Sequence, residues 1–104
     1  MVSTDEMKDQ IKTDVTQNKV VLYMKGTKTA PQCGFSAQVV QVLRALEVDF
    51  LDKDILSDPV LREAIKDYSD WPTLPQLYVN GEFVGGCDIV MELYQSGELQ
   101  KLVQ

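Results

Sequence analysis

The chain contains no histidine. That absence excludes imidazole acid–base catalysis, cysteine–histidine nucleophile pairs and histidine-ligated metal together. A reactive thiol here must be activated by a cation or by backbone dipoles. Cysteine is scarce: Cys33 and Cys87 are the two in 104 residues. They lie too far apart for a local metal motif, and a secreted domain of this size would carry more bridges. Reduced thiols in a cytoplasmic or organelle-matrix setting fit better. No apolar run approaches the roughly 18 residues of a membrane helix. Met1 to Gln10 carries neither an apolar signal core nor an Arg-rich amphipathic stretch, so no targeting segment is read there. A chain trimmed of one would look the same, which leaves an organelle matrix open. Basic residues are few, ten against sixteen acidic, giving a net charge of −6. This argues against nucleic acid or an anionic membrane surface as the main partner.

What is present suits one domain over residues 1–104, with 44% hydrophobic residues for its core. Ser3-Thr4-Asp5-Glu6 reads as a capping box, and Met7, Ile11 and Val15 recur at helical spacing through about Gln17. Val20–Met24 is a continuous apolar run, the pattern of a strand buried on both faces. Lys25–Gln32 reads as a loop. A helix follows from Gly34 through Leu46. Val48–Leu51 reads as a strand with Asp52–Asp54 leading out of it. Asp58-Pro59 is a helix start, a polar cap before proline at the first helical position. Gln76–Val79 and Phe83–Val84 flank Asn80-Gly81, a hairpin signal. Asp88 is read as the cap of a helix ending at Gly97, and Glu98–Val103 as a short tail helix. A strand–helix–strand unit implies a parallel pair, and the hairpin adds two antiparallel strands. The expectation is an α/β, thioredoxin-like fold: a four-stranded mixed sheet flanked by helices on both faces, with an extra N-terminal helix.

Cys33 stands at the start of a helix, after a buried strand and a Gly/Pro loop. Unpaired N–H groups there favour the thiolate, the reactive form. Gly34 lets the backbone come close, and Lys25, at the strand end, is the nearest cation. The competing reading, a small buried apolar residue, suits free cysteine in general but not this position. In Cys33-Gly34-Phe35-Ser36 a serine replaces the second cysteine of a C-x-x-C pair. A hydroxyl cannot resolve a mixed disulfide, so any exchange cycle needs an outside thiol or Cys87. Ser36 itself reads as a first-turn residue bonding the backbone.

Taken together, Lys25-Gly26-Thr27, Pro31 to Ser36, Trp71 to Gly81 and Gly85 to Ile89 resemble the monothiol, CGFS-type glutaredoxin family over essentially the whole chain. The chain departs from the family's usual pattern at Lys28, where a proline is common. The resemblance implies a glutathione site formed by Lys25, Cys33, Gly34, Phe35, Arg62, Thr73, Leu74, Pro75, Gly86, Cys87 and Asp88. Lys25 and Arg62 would meet the glycyl carboxylate, which suits a guanidinium fork. Read alone, Arg62 is a solvated helix residue. Thr73-Leu74-Pro75 resembles the family's cis-proline turn, and with Pro75 cis the Leu74 N–H and C=O would pair with the tripeptide backbone. An ordinary tight turn is the other reading. The helix start at Cys87-Asp88 would take the γ-glutamyl end, or Asp88 is a plain cap. Cys87 is read as a buried small residue, with a disulfide to Cys33 as the alternative.

The resemblance further implies a [2Fe–2S] cluster ligated by Cys33 and glutathione thiolates. The cluster would bridge a homodimer of an otherwise monomeric protein. The role would be a carrier in iron–sulfur assembly and iron homeostasis, with BolA-like and apo-acceptor proteins as partners. The alternative is a glutathione-dependent thiol–disulfide oxidoreductase with Cys33 as nucleophile and a second glutathione as resolver.

Overall fold

The structure, a computed structural model, describes residues 2–104. In chain order the elements are α1 (Thr4–Gln17), β1 (Val20–Met24), β2 (Gly26–Thr27), β3 (Ala30–Pro31), α2 (Gly34–Ala45), β4 (Leu51–Asp54), α3 (Pro59–Ser69), β5 (Gln76–Val79), β6 (Glu82–Gly85), α4 (Cys87–Ser96) and α5 (Glu98–Val103). The main sheet has the order β4-β1-β5-β6. β1 runs parallel to β4 and antiparallel to β5, and β6 returns antiparallel to β5. This is the thioredoxin-like arrangement expected from the sequence.

β1 is buried at all five positions, and its two-residue alternation divides the core. Val20, Leu22 and Met24 pack with Val39, Leu43, Val90 and Leu99 of α2, α4 and α5. Val21 and Tyr23 pack on the other face with Ile11, Val15, Leu61 and Ile65 of α1 and α3. The starts of α1 and α3 are capped by side chains. The Ser3 hydroxyl accepts from Glu6 N–H at 3.1 Å. The Asp58 carboxylate accepts from Val60 and Leu61 N–H ahead of Pro59 at N1. Asn80 and Gly81 both take positive φ in the hairpin turn.

Three local expectations are corrected. The strand read at Val48–Leu51 lies at Leu51–Asp54. Val48 N–H closes the end of α2 on Leu43 C=O, so pairing with β1 begins only at Leu51, opposite Val21. Within Lys25–Gln32, read as a loop, β2 and β3 form a two-rung hairpin. It is fastened to β4 by side chains, because Asp54 accepts from Gly26 N–H and Asp52 from Lys28 N–H. Gly26 is required there. Its φ is +91°, and a Cβ would stand 2.5 Å from Ala30 C=O. Finally, Asp88 does not cap α4. Gly86 is the cap residue and contributes no side chain, and Asp88 is the second helical residue.

Candidate functional site

Cys33 is the cap residue of α2, with extended backbone and no side-chain cap bond. Its thiol therefore faces the free N–H groups of the first turn. Its pKa is lowered, first by the Ser36 N–H, then by the Phe35 N–H, the Lys25 charge and the Ser36 hydroxyl; partial burial opposes them. Ser36 is fully buried. Its hydroxyl does bond backbone, but across the fold, accepting from Lys25 N–H at 3.1 Å. One side chain thus ties the end of β1, which carries the cation, to the turn that holds the thiol. Nothing in the protein crowds Gly34, where a Cβ would find no atom within 4 Å.

A groove of about 470 Å³ opens beside this turn. Of the residues expected at the site, Lys25, Phe35, Arg62, Thr73, Leu74, Pro75, Gly86, Cys87 and Asp88 line it. Cys33 and Gly34 do not. The thiol adjoins the groove through Phe35 and through Lys25, whose charge reaches it. The Leu74–Pro75 bond is cis. Gly86 backs the wall closely: a Cβ there would lie 3.4 Å from the Trp71 indole nitrogen and 3.5 Å from Pro75 C=O.

Lys66, Trp71, Pro72 and Ile89 also line the groove and were not singled out from the sequence as site residues. Lys66 was detectable in principle, because it lies one helical turn beyond Arg62 on the same face. Lys25, Arg62 and Lys66 make no ion pair with a carboxylate among the described residues. Three uncompensated cations on one groove of an acidic protein fit an anionic ligand, and Asp88 at the groove's margin fits a cationic group.

Cys87, first residue of α4, donates its thiol proton to Gln38 Oε1 of α2 at 3.2 Å. Its pKa is raised by burial, then by the Asp88 and Cys33 charges. Both cysteines are free, so the disulfide alternative is not the state described. No cluster of three or more His, Cys, Asp or Glu side chains placed to hold a metal ion exists among the described residues. Among the described residues no helix is long and apolar enough to cross a membrane.

Comparison with known proteins identifies the family. The family model described as Glutaredoxin matches residues 20–84. A Synechocystis sp. protein named as a monothiol glutaredoxin is 58% identical over 99 residues, covering 95% of this chain and 92% of its own length. The solution structure of reduced poplar apo GrxS14 superposes with a TM-score of 0.82 at 55% identity, covering 94% of this chain and 90% of that one. A crystal structure of a buckwheat glutaredoxin–glutathione complex shares the fold, with a TM-score of 0.86 at 20% identity over 96% of this chain and 89% of that one.

Proposed function

The chain belongs to the glutaredoxin family, in its monothiol branch, and from that premise we propose that it binds glutathione in the groove and carries a glutathione-ligated [2Fe–2S] cluster as cargo between two copies of itself. One observation carries this reading: the one thiol of lowered pKa, with serine in place of its resolving neighbour, stands beside a groove bearing three uncompensated cations. The tripeptide's glycyl carboxylate suits Lys25 and Arg62. Its backbone suits the Leu74 edge, and its γ-glutamyl carboxylate and amine suit the first turn of α4 and Asp88.

The donor set fits a shared cluster and not one held by a single chain. A [2Fe–2S] centre wants four thiolates, and each chain offers one thiol of lowered pKa and, among the described residues, no metal-holding cluster of its own. Two Cys33 thiolates and two glutathione thiolates complete the count. Ligands borrowed from a dissociable tripeptide suit transfer to apo-acceptors rather than storage. Phe35, the most exposed large apolar side chain among the described residues at 59%, supplies an apolar contact beside the thiol for a second copy or a BolA-like partner. A reducing compartment, the cytoplasm or an organelle matrix, keeps both thiols free.

The lowered Cys33 thiol favours a second reading, reduction of glutathione mixed disulfides. Cys33 thiolate attacks the glutathione sulfur and the substrate thiolate leaves. A second glutathione thiolate then attacks the Cys33 mixed disulfide, releasing oxidised glutathione and restoring the Cys33 thiolate.

Anaerobic reconstitution with iron, sulfide and glutathione separates the two. A coloured dimer by native mass and visible absorption, lost in Cys33→Ser, supports the carrier. A colourless monomer that turns over a glutathione mixed disulfide briskly overturns it in favour of the reductase.

A further inference from the structure

Gln76 opens β5, opposite Tyr23 of the fully buried β1, and is itself fully buried. A buried carboxamide must satisfy two donors and an acceptor. Here all are engaged. Gln76 Nε2 donates to Trp71 C=O at 3.1 Å and to Thr73 C=O at 3.2 Å, and Tyr78 Oη donates to Gln76 Oε1 at 3.4 Å. The hydroxyl on one side and the two carbonyls on the other fix which end of the amide is which. Trp71 and Thr73 lie in the wall of the groove.

The Thr73 clamp has a consequence across its peptide bond. The Thr73–Leu74 bond is trans, since Leu74–Pro75 is the cis bond of the described residues. In a planar trans peptide the C=O and the following N–H point in opposite directions. Thr73 C=O, pulled inward onto Gln76, therefore turns Leu74 N–H outward, on a residue that lines the groove. That N–H donates to no other backbone group among the described residues. The Trp71 clamp presents no such donor, because the next residue is Pro72, which has no N–H.

We infer that Gln76 is a positioning residue for tripeptide binding: by holding Thr73 C=O against the core it aims Leu74 N–H at the backbone of the ligand. The inference rests on the proposed glutathione site. Gln76 touches no ligand itself. It couples β5, paired with the fully buried β1, to a groove edge where the Leu74 main-chain donor is free. A direct contact on the groove would be replaceable by solvent, whereas this clamp is dry and has no substitute among its neighbours.

The test is a reduced-glutathione titration of the wild-type chain and of Gln76→Met, followed by calorimetry and by amide resonances. In the wild type the Leu74 amide resonance moves downfield as glutathione saturates. Gln76→Met matches the side chain in length but removes both donors. It is expected to bind glutathione about tenfold more weakly, the size of one neutral hydrogen bond, and to lose the Leu74 shift. Its Cys33 alkylation profile against pH should be unchanged, a separation that general loosening of the fold would not produce. A folded Gln76→Met with wild-type affinity overturns the inference. Should that variant not fold, the wild-type spectrum decides, because saturation with an unmoved Leu74 amide overturns it equally. Failure of the wild type to take up glutathione overturns the functional reading itself, and this inference with it.

Discussion

The two ends of the site present the same residue type at the same kind of place and obtain opposite chemistry. Cys33 and Cys87 both sit where a helix begins, one as the cap of α2 and one as the first residue of α4. Cys33 is lowered and Cys87 is raised. A helix start is therefore not sufficient to activate a thiol. Cys33, just outside the helix, receives the first-turn N–H groups and lies near Lys25. Cys87, one position further in, is partly buried, donates to Gln38 and lies near Asp88. One residue of displacement and the sign of one neighbour decide which sulfur reacts.

The largest test of that contrast asks whether Cys87 can stand in for Cys33. Cys33→Ser should abolish the reconstituted cluster colour and reduce mixed-disulfide turnover by at least about a hundredfold, as loss of a nucleophile does. Colour surviving in that variant would break the comparison. Next in size, Ser36→Ala leaves Lys25 N–H facing a buried site without its acceptor. It should destabilise the fold by roughly 1–3 kcal/mol in denaturant unfolding. It should also raise the Cys33 thiol, slowing alkylation at neutral pH, while Cys87 alkylation is unchanged.

The pH dependence sharpens the same contrast. Differential alkylation read by peptide mass should place the Cys33 midpoint below the ordinary thiol value of about 8.5 and the Cys87 midpoint above it. Cys33, depressed in the folded state, contributes stability above its unfolded pKa and loses it as pH falls through the folded value. Cys87, raised in the folded state, contributes below its unfolded pKa and loses that as pH rises through the folded value. Cys33→Ser should therefore lose more stability than the wild type between about pH 7 and about pH 10. The smallest effect belongs to Asp88→Asn. Removing one of the charges that hold Cys87 up should shift its midpoint downward and quicken its alkylation a few-fold, leaving Cys33 in place.

Much of this fold was legible because its signals are local. Ser3, Asp58-Pro59 and Asn80-Gly81 act through their own neighbours, and the apolar run of β1 announces a strand covered on both faces. β4 was read three residues early because its residues are Leu-Asp-Lys-Asp, with no apolar alternation. Its position is set by register with β1 and by two carboxylates that serve the hairpin beside Cys33. That hairpin has two rungs, too short for any periodicity. At the site, nine of the eleven residues singled out line one groove, Cys33 and Gly34 standing beside it, and Thr73-Leu74-Pro75 contains the cis bond. Gln76 and Lys66 escaped notice for different reasons. Gln76 matters only through carbonyls that the chain reversal brings back to it. The importance of Lys66 depends on the tilt of α3 over the groove.

The flanks of the main sheet bear on what the protein avoids. β4 is four residues long, three of them charged, and the hairpin of β2 lies against it, with Gly26 N–H held by Asp54 and Lys28 N–H by Asp52. At the opposite flank, the pairing of β6 with β5 shifts register between Leu77 and Tyr78, an irregularity that twists an outer strand away from flat contact. Short, charged or kinked borders deny an incoming chain a template for intermolecular ladder formation. Both borders of the native sheet thus oppose growth by edge addition.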